Sequence, residues 1–251
     1  MKSRTESLVY FNANLDVENL LAYIEKKQAE GIELKFFQMF LAAVVKVFKE
    51  RPGLNRFVAG RRVYQRNDIK ISFVAKKGAF DEAEETNVTL EFDEKSSFDD
   101  VINRIKGDIK IAKSDAVKDD DALFGTVMKM PRFMLRLFFG ILSWLDFYFE
   151  MPKALADFDP LRCSVYIANL GSIGIEAPFH HLYEWGTCSV FIAIGKIRYM
   201  PVALEDGTLT SKKMVEIKVT LDERIADGFY FARSLELIEK YINDPEAIEN
   251  L

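Results

Sequence analysis

From Val215 to Leu221 apolar and polar residues alternate: Val215, Ile217, Val219 and Leu221 are separated by Glu216, Lys218 and Thr220. A period of two predicts a strand with one buried face. Further on, Phe231, Leu235, Ile238 and Ile242 recur at helical spacing, which predicts an amphipathic helix. Asp227-Gly228 falls between these elements. A strand-to-helix turn is expected there, with glycine supplying backbone freedom closed to residues with a Cβ. Such a turn at a rigid strand end can aim side chains into a cleft.

The same reading orders the rest of the chain. Val9 to Leu15 predicts a first strand, with Asp16 as N-cap of a helix carrying Val17, Leu20, Leu21 and Ile24 and stopped by Gly31. A second helix, from about Leu34 to Lys49, is apolar over much of its circumference and is expected to be buried. Residues 56–64 and 69–75 read as two strands joined through Gln65-Arg66-Asn67-Asp68, and Val88, Leu90 and Phe92 as another. Ser97 is the expected cap of a helix bearing Val101, Ile102, Ile105 and Ile109. Further strands are expected around Ser164–Asn169 and Ser189–Gly195, and a hairpin turn at Asp206-Gly207. Strands and helices mixed in this way predict an α/β (α+β) domain.

Phe133 to Phe149 is the most apolar stretch. Its charge-free core, Leu137 to Leu145, is far shorter than the ~20 residues that span a bilayer. A buried or subunit-interface helix is the first expectation, and an interfacial membrane helix or hydrophobic lid the second.

Composition narrows the function. The 251 residues, 49% of them hydrophobic, suit one domain with a large core. A net charge of −5 without any basic run argues against nucleic acid as a partner. Cys163 and Cys188 form neither a disulfide framework nor a metal motif, so a reduced, cytoplasmic setting is expected. Met1 to Glu6 contains no apolar leader segment. Asp119-Asp120-Asp121 lacks the ligand spacing of a calcium loop and reads as a solvated turn. No metal is expected.

Leu221-Asp222-Glu223-Arg224-Ile225-Ala226-Asp227-Gly228 resembles the Asp-His-Arg-x-x-Asp-Gly signature of the catalytic domain of 2-oxo acid dehydrogenase acyltransferases, and the related His-x-x-x-Asp-Gly of chloramphenicol acetyltransferases. Asp222, Arg224, Asp227 and Gly228 match, and Glu223 stands where the family has its catalytic histidine. Ser164 to Gly174 resembles the family's Thr-Phe-Thr-Ile-Ser-Asn-Leu-Gly-x-x-Gly, matching at Asn169 and Gly171, with Ala168 in place of the serine. Pro52 to Asn55, Asp68 to Ala75 and Ser189 to Gly195 are similar to further family segments. Lys76 to Glu85 is not: the family has an apolar segment there, shaping an acyl-CoA channel.

The resemblance implies a chloramphenicol acetyltransferase-like fold, a central mixed sheet flanked by helices, over a single domain of residues 1–251 with a divergent helical insertion at 96–160. No lipoyl-type or subunit-binding domain is expected within it. It implies coenzyme A or acyl-CoA as a substrate, with no cofactor firmly implied. It also implies a homotrimer with the active-site cleft between subunits, open to larger assembly. In the family the histidine deprotonates the attacking thiol or hydroxyl, and the serine donates to the oxyanion. A carboxylate is a weak base near neutrality, and losing one oxyanion donor typically costs about 10²–10³ in rate. A catalytically degenerate, trimeric binding or scaffold protein is therefore the expectation. The alternative is an active acyltransferase using Glu223 or His181 as base. His180 and His181 are the chain's two histidines; a structural loop contact is the plainer role for them, and a metal would need a third ligand such as Glu184. The motif Asp227 is expected to be buried against an arginine or backbone N–H groups, and Glu223 to be freer.

Overall fold

A computed structural model of the chain describes residues 1, 3–76, 85–112, 129–149 and 151–251. The triple aspartate and nearly all of the acidic 76–85 segment lie outside these residues. Six strands form one mixed sheet: β1 (Leu8–Asp16), β4 (Ile69–Lys76), β5 (Glu85–Phe92), β6 (Val165–Asn169), β7 (Val190–Ala203) and β8 (Leu209–Asp222), in the order β1-β8-β7-β6-β4-β5. The β4–β6 and β6–β7 pairs are parallel and the others antiparallel. Helices α1 (Glu18–Ala29), α2 (Phe36–Glu50), α3 (Phe98–Ala112) and α6 (Gly228–Asn243) cover one face. The α/β expectation holds.

The alternation decides which side chains meet those helices. Val215, Ile217, Val219 and Leu221 of β8 join Val165, Ile167, Val190, Ile192 and Ile194 in one core with Phe40, Val44, Ile105, Phe231 and Ile242. The opposite face carries a smaller apolar cluster, where Ala177 and Leu182 of the long β6–β7 connection lie against Phe191 and Ala193. As expected, α2 is buried, with ten of its fifteen residues inside. Ser97 caps α3 reciprocally: its Oγ accepts from Asp100 N while its own N–H donates to the Asp100 carboxylate. Gly31 (φ +85°) follows α1, and Gly207 (φ +82°) makes the β7–β8 turn.

Residues 56–64 are not one strand. They fold into a hairpin of β2 (Arg56–Ala59) and β3 (Arg62–Gln65). Gly60 and Arg61 both have positive φ, the conformation of a type I′ turn. Arginine is an unusual occupant of that position, which is why the pattern conceals the turn. The hairpin tip meets the end of α4 (Arg132–Tyr148), where a Cβ on Gly60 would collide with the Phe147 carbonyl. The burial expected for α4 is not met within the chain: none of its residues is buried. It reaches the body through Phe139, edge-on to Trp185 at 6.2 Å, and through Asp146, paired with Arg162 at 2.9 Å. A short α5 (Lys153–Asp157) leads back to the sheet. No described helix is long and apolar enough to cross a membrane.

Gly171, from the Asn-Leu-Gly motif, lies directly against the Gly195 carbonyl of β7. A methyl there has no room without moving strand backbone, whereas a Cβ on Gly140 of α4 meets open space. Gly171→Ala should lower stability by about 1–3 kcal/mol, and Gly140→Ala should raise it by up to about 1 kcal/mol through helix propensity. Urea unfolding of the two variants beside wild type tests this contrast.

Candidate active site

The end of β8 carries the motif, and Asp222 is its structural centre. This carboxylate is fully buried (0% exposed). Its Oδ1 accepts from Ser7 Oγ at 2.9 Å, Arg224 Nε at 2.8 Å and Arg224 N at 3.1 Å. Its Oδ2 accepts from Arg224 Nη2 at 2.6 Å, and Arg4 Nε lies 3.8 Å away. Those bonds to Asp222 raise the Arg224 guanidinium above its ordinary value. Arg4 is almost as buried and donates to the carbonyls of Tyr183, Trp185 and Gly186; burial lowers its pKa. Glu184 accepts from the backbone N–H groups of Arg4 and Thr5, which fastens the N-terminal segment to the same loop. No local pattern in the sequence points to Arg4 or Ser7, because their partners are brought close only by the pairing of β1 with β8.

The expectation that Asp227 is buried against an arginine is overturned. Asp227 is exposed and serves as N-cap of α6, accepting from Tyr230 N at 2.8 Å. The backbone N–H bond was foreseen; the burial and the arginine belong to Asp222. Gly228 begins α6. Glu223 is exposed, as expected: its N–H donates to Ser7 O, while its carboxylate makes no hydrogen bond among the described residues.

Ala168 lies near the end of β6, in a row that crosses the middle of β1 and β8. It pairs with Ala193, which pairs with Lys218, five residues before Glu223. At roughly 3.4 Å per residue, Glu223 lies about 17 Å further along the strand direction. The chain by itself does not unite these two positions. Asn169 leads into the 3-10 turn Leu170–Ile173, and its carbonyl accepts from Ser172 Oγ at 2.7 Å.

His180 and His181 lie over the open face of the sheet. The His180 ring stacks on Phe191 with centroids 4.0 Å apart, and His181 stacks beside it at 5.0 Å. The His180 carbonyl accepts from Thr220 Oγ1. Each Nδ1 faces a backbone carbonyl, His181 O at 2.7 Å and Leu182 O at 3.0 Å. A carbonyl only accepts, so each Nδ1 is the donor in its bond. Phe191 belongs to the row Tyr166–Phe191–Thr220, two residues along the strands from the Ala168–Ala193–Lys218 row. The histidines thus sit nearer to Ala168 than Glu223 does.

A cleft of about 510 Å³ opens between the β2–β3 hairpin, α4 and the β8 end, with Arg4, Arg61, Arg224, Asp146 and Glu184 in its lining. Cys163 and Cys188 are free, buried and adjacent to each other, and burial pushes the Cys163 thiol well up; both behave as packed thiols. Among the described residues no three His, Cys, Asp or Glu side chains converge on a metal position.

A mixed sheet with helices on one face, carrying an Asn-Leu-Gly turn after β6 and an Asp-x-Arg-x-x-Asp-Gly turn after β8, defines an α/β domain of chloramphenicol acetyltransferase-like fold. The comparisons with known proteins agree. Residues 156–249 match the 2-oxoacid dehydrogenases acyltransferase (catalytic domain) family, and within that stretch Glu223 stands where the family's motif has histidine. It is 23% identical, over 233 residues, to the lipoamide acyltransferase component of the Bacillus subtilis (strain 168) branched-chain alpha-keto acid dehydrogenase complex; the match takes in 91% of this chain and 45% of that protein. The chain therefore spans less than half the length of that relative. In structure it resembles the cubic core of a pyruvate dehydrogenase multienzyme complex, with TM-score 0.67, 16% identity and 96% and 83% of the two chains covered. It also resembles a chloramphenicol acetyltransferase, with TM-score 0.53, 14% identity and 95% and 87% covered.

Removing one member of a buried charged pair costs about 3–5 kcal/mol, and losing an N-cap about 1 kcal/mol. Asp222→Ala should therefore lower the melting temperature most, Asp227→Ala modestly and Glu223→Ala least. Thermal unfolding of the three variants checks that order, and a larger drop for Asp227→Ala than for Asp222→Ala would contradict it.

Proposed function

We propose that the chain is a coenzyme A-type acyltransferase domain in which the family's chemistry is weakened or lost, acting as a trimeric binding or scaffold unit. The observation that carries this reading is the separation of Glu223 from Ala168 along the sheet. A site that uses both positions needs a second copy of the chain, with the β8 end of one facing the β6 end of its neighbour. At that shared site Glu223 offers a carboxylate in place of an imidazole, and Ala168 offers no donor to an oxyanion. The domain would span residues 1–251, with α4 in its divergent insertion. Arg61 in the lining of the 510 Å³ cleft suits a phosphate of coenzyme A, and the setting would be cytoplasmic.

A second reading is favoured by the histidines. Their Nδ1 atoms are held by carbonyls, an arrangement that in a neutral ring leaves Nε2 to take a proton. Exposed His181 would then be a relocated base in an active acyltransferase, with Glu223 the other candidate.

Three measurements separate these readings. Light scattering at working concentration should give a trimer, and a monomer would overturn the shared site. Calorimetry should detect coenzyme A or acetyl-CoA binding. Turnover of acetyl-CoA against thiol and alcohol acceptors should be close to background in wild type, Glu223→Gln and His181→Ala alike. Robust wild-type turnover that drops about 100-fold or more in His181→Ala would establish the second reading instead.

A further inference from the structure

The outward face of α4 is apolar from end to end. Phe133, Leu137, Ile141, Trp144 and Tyr148 fall at i, i+4, i+8, i+11 and i+15 on one stripe, and each is between 50% and 71% exposed. The half-buried residues Leu135, Leu142, Leu145 and Asp146 fall on the opposite side, toward the body. The helix is thus apolar on its exposed side as well as on the side turned to the body. Continuous patches of this kind mark a contact surface.

Charge identifies the occupant. The chain as a whole carries −5, yet residues 129–149 carry three cations, Lys129, Arg132 and Arg136, and one acid, Asp146. The cations gather around the helix's first turn, are exposed, and form no ion pair among the described residues. Asp146 is turned inward and paired with Arg162. A second copy of this helix would bring no acid to meet the cations. Trp144 and Tyr148, at the other end of the stripe, are side chains with an apolar body and a polar tip, suited to a boundary between hydrocarbon and water. The helix has 17 residues, about 25 Å in length, and is too short to cross a bilayer but long enough to lie along one.

We propose that α4 seats this chain on the surface of an anionic lipid bilayer, with the stripe in the acyl region and Lys129, Arg132 and Arg136 among the headgroups. Because α4 also walls the cleft that holds Arg61 and Arg224, this seating brings that cleft to the membrane surface. The proposal is independent of whether the acyltransferase site is active.

The test is flotation of the full chain with vesicles of phosphatidylcholine alone and of equal parts phosphatidylcholine and phosphatidylglycerol. Binding is expected to the anionic vesicles, and to weaken with added salt. The double substitutions Leu137→Glu with Trp144→Glu, and Arg132→Glu with Arg136→Glu, should each lower the bound fraction about tenfold or more. Both touch exposed side chains only, and circular dichroism verifies that the variants fold. In a Trp185→Phe background Trp144 is the sole tryptophan, and its emission should shift to the blue and be quenched by brominated acyl chains. Absence of flotation by folded wild type, or flotation unchanged in both double variants, overturns the proposal. So does a fall in oligomer size caused by Leu137→Glu with Trp144→Glu without lipid, which would show that copies of the chain cover the stripe.

Discussion

The buried carboxylate of Asp222 is where three distant parts of the chain are joined. The end of β8 presents it, Ser7 and Arg4 reach it from the N-terminal segment, and Arg4 in turn holds the carbonyls of residues 183, 185 and 186. An unpaired charge at zero exposure is strongly disfavoured. The N-terminal segment must therefore stay against the sheet end, and Arg224 must fold back over its own strand. The conformation of residues 223–228, and so the direction in which the motif points, follows from that closure. The presence of Asp222 and Arg224 beside Glu223 is accounted for by folding, since the ion pair closes the sheet end whether or not chemistry takes place beside it.

The second constraint is the strand register. Because β8 runs antiparallel to β7, the two motif positions fall in rows five residues apart along β8. The open face between them is occupied by the 170–188 connection, whose histidines stack on Phe191 and whose Gly171 abuts the Gly195 backbone. Any chemistry within one chain would have to be arranged around that connection, and any chemistry using the standard positions would have to be arranged between chains.

Helix α4 departs from both constraints. It contributes nothing buried to the core, it meets the body through the Phe139–Trp185 ring contact, the Asp146–Arg162 ion pair and Arg61 over the Phe147 ring, and it shows solvent a hydrophobic stripe. Its apolar content therefore adds nothing to the core formed by the described residues. The hairpin tip at Gly60 and Arg61, pressed against its last turn, sets how far it stands from the body.

Periodicity alone located the sheet and helices, since burial of one face leaves a direct trace in the alternation of Val215 to Leu221 and in the spacing of Phe231 to Ile242. Capping and turn chemistry at Ser97, Gly31 and Gly207 is local and was equally legible. The motif residues and the family they resemble were also readable. Three features were decided only by tertiary structure. A hairpin at Gly60-Arg61 hides in a run that reads as one strand, because its turn uses arginine at positive φ. The burial of Asp222 and the exposure of Asp227 cannot be told apart from two aspartates in one motif, because the difference is made by Arg4 and Ser7, placed beside β8 by strand pairing. And an apolar helix reads the same whether its hydrophobic face meets a core or stands in the open: only the packing around it shows that this face stands exposed among the described residues.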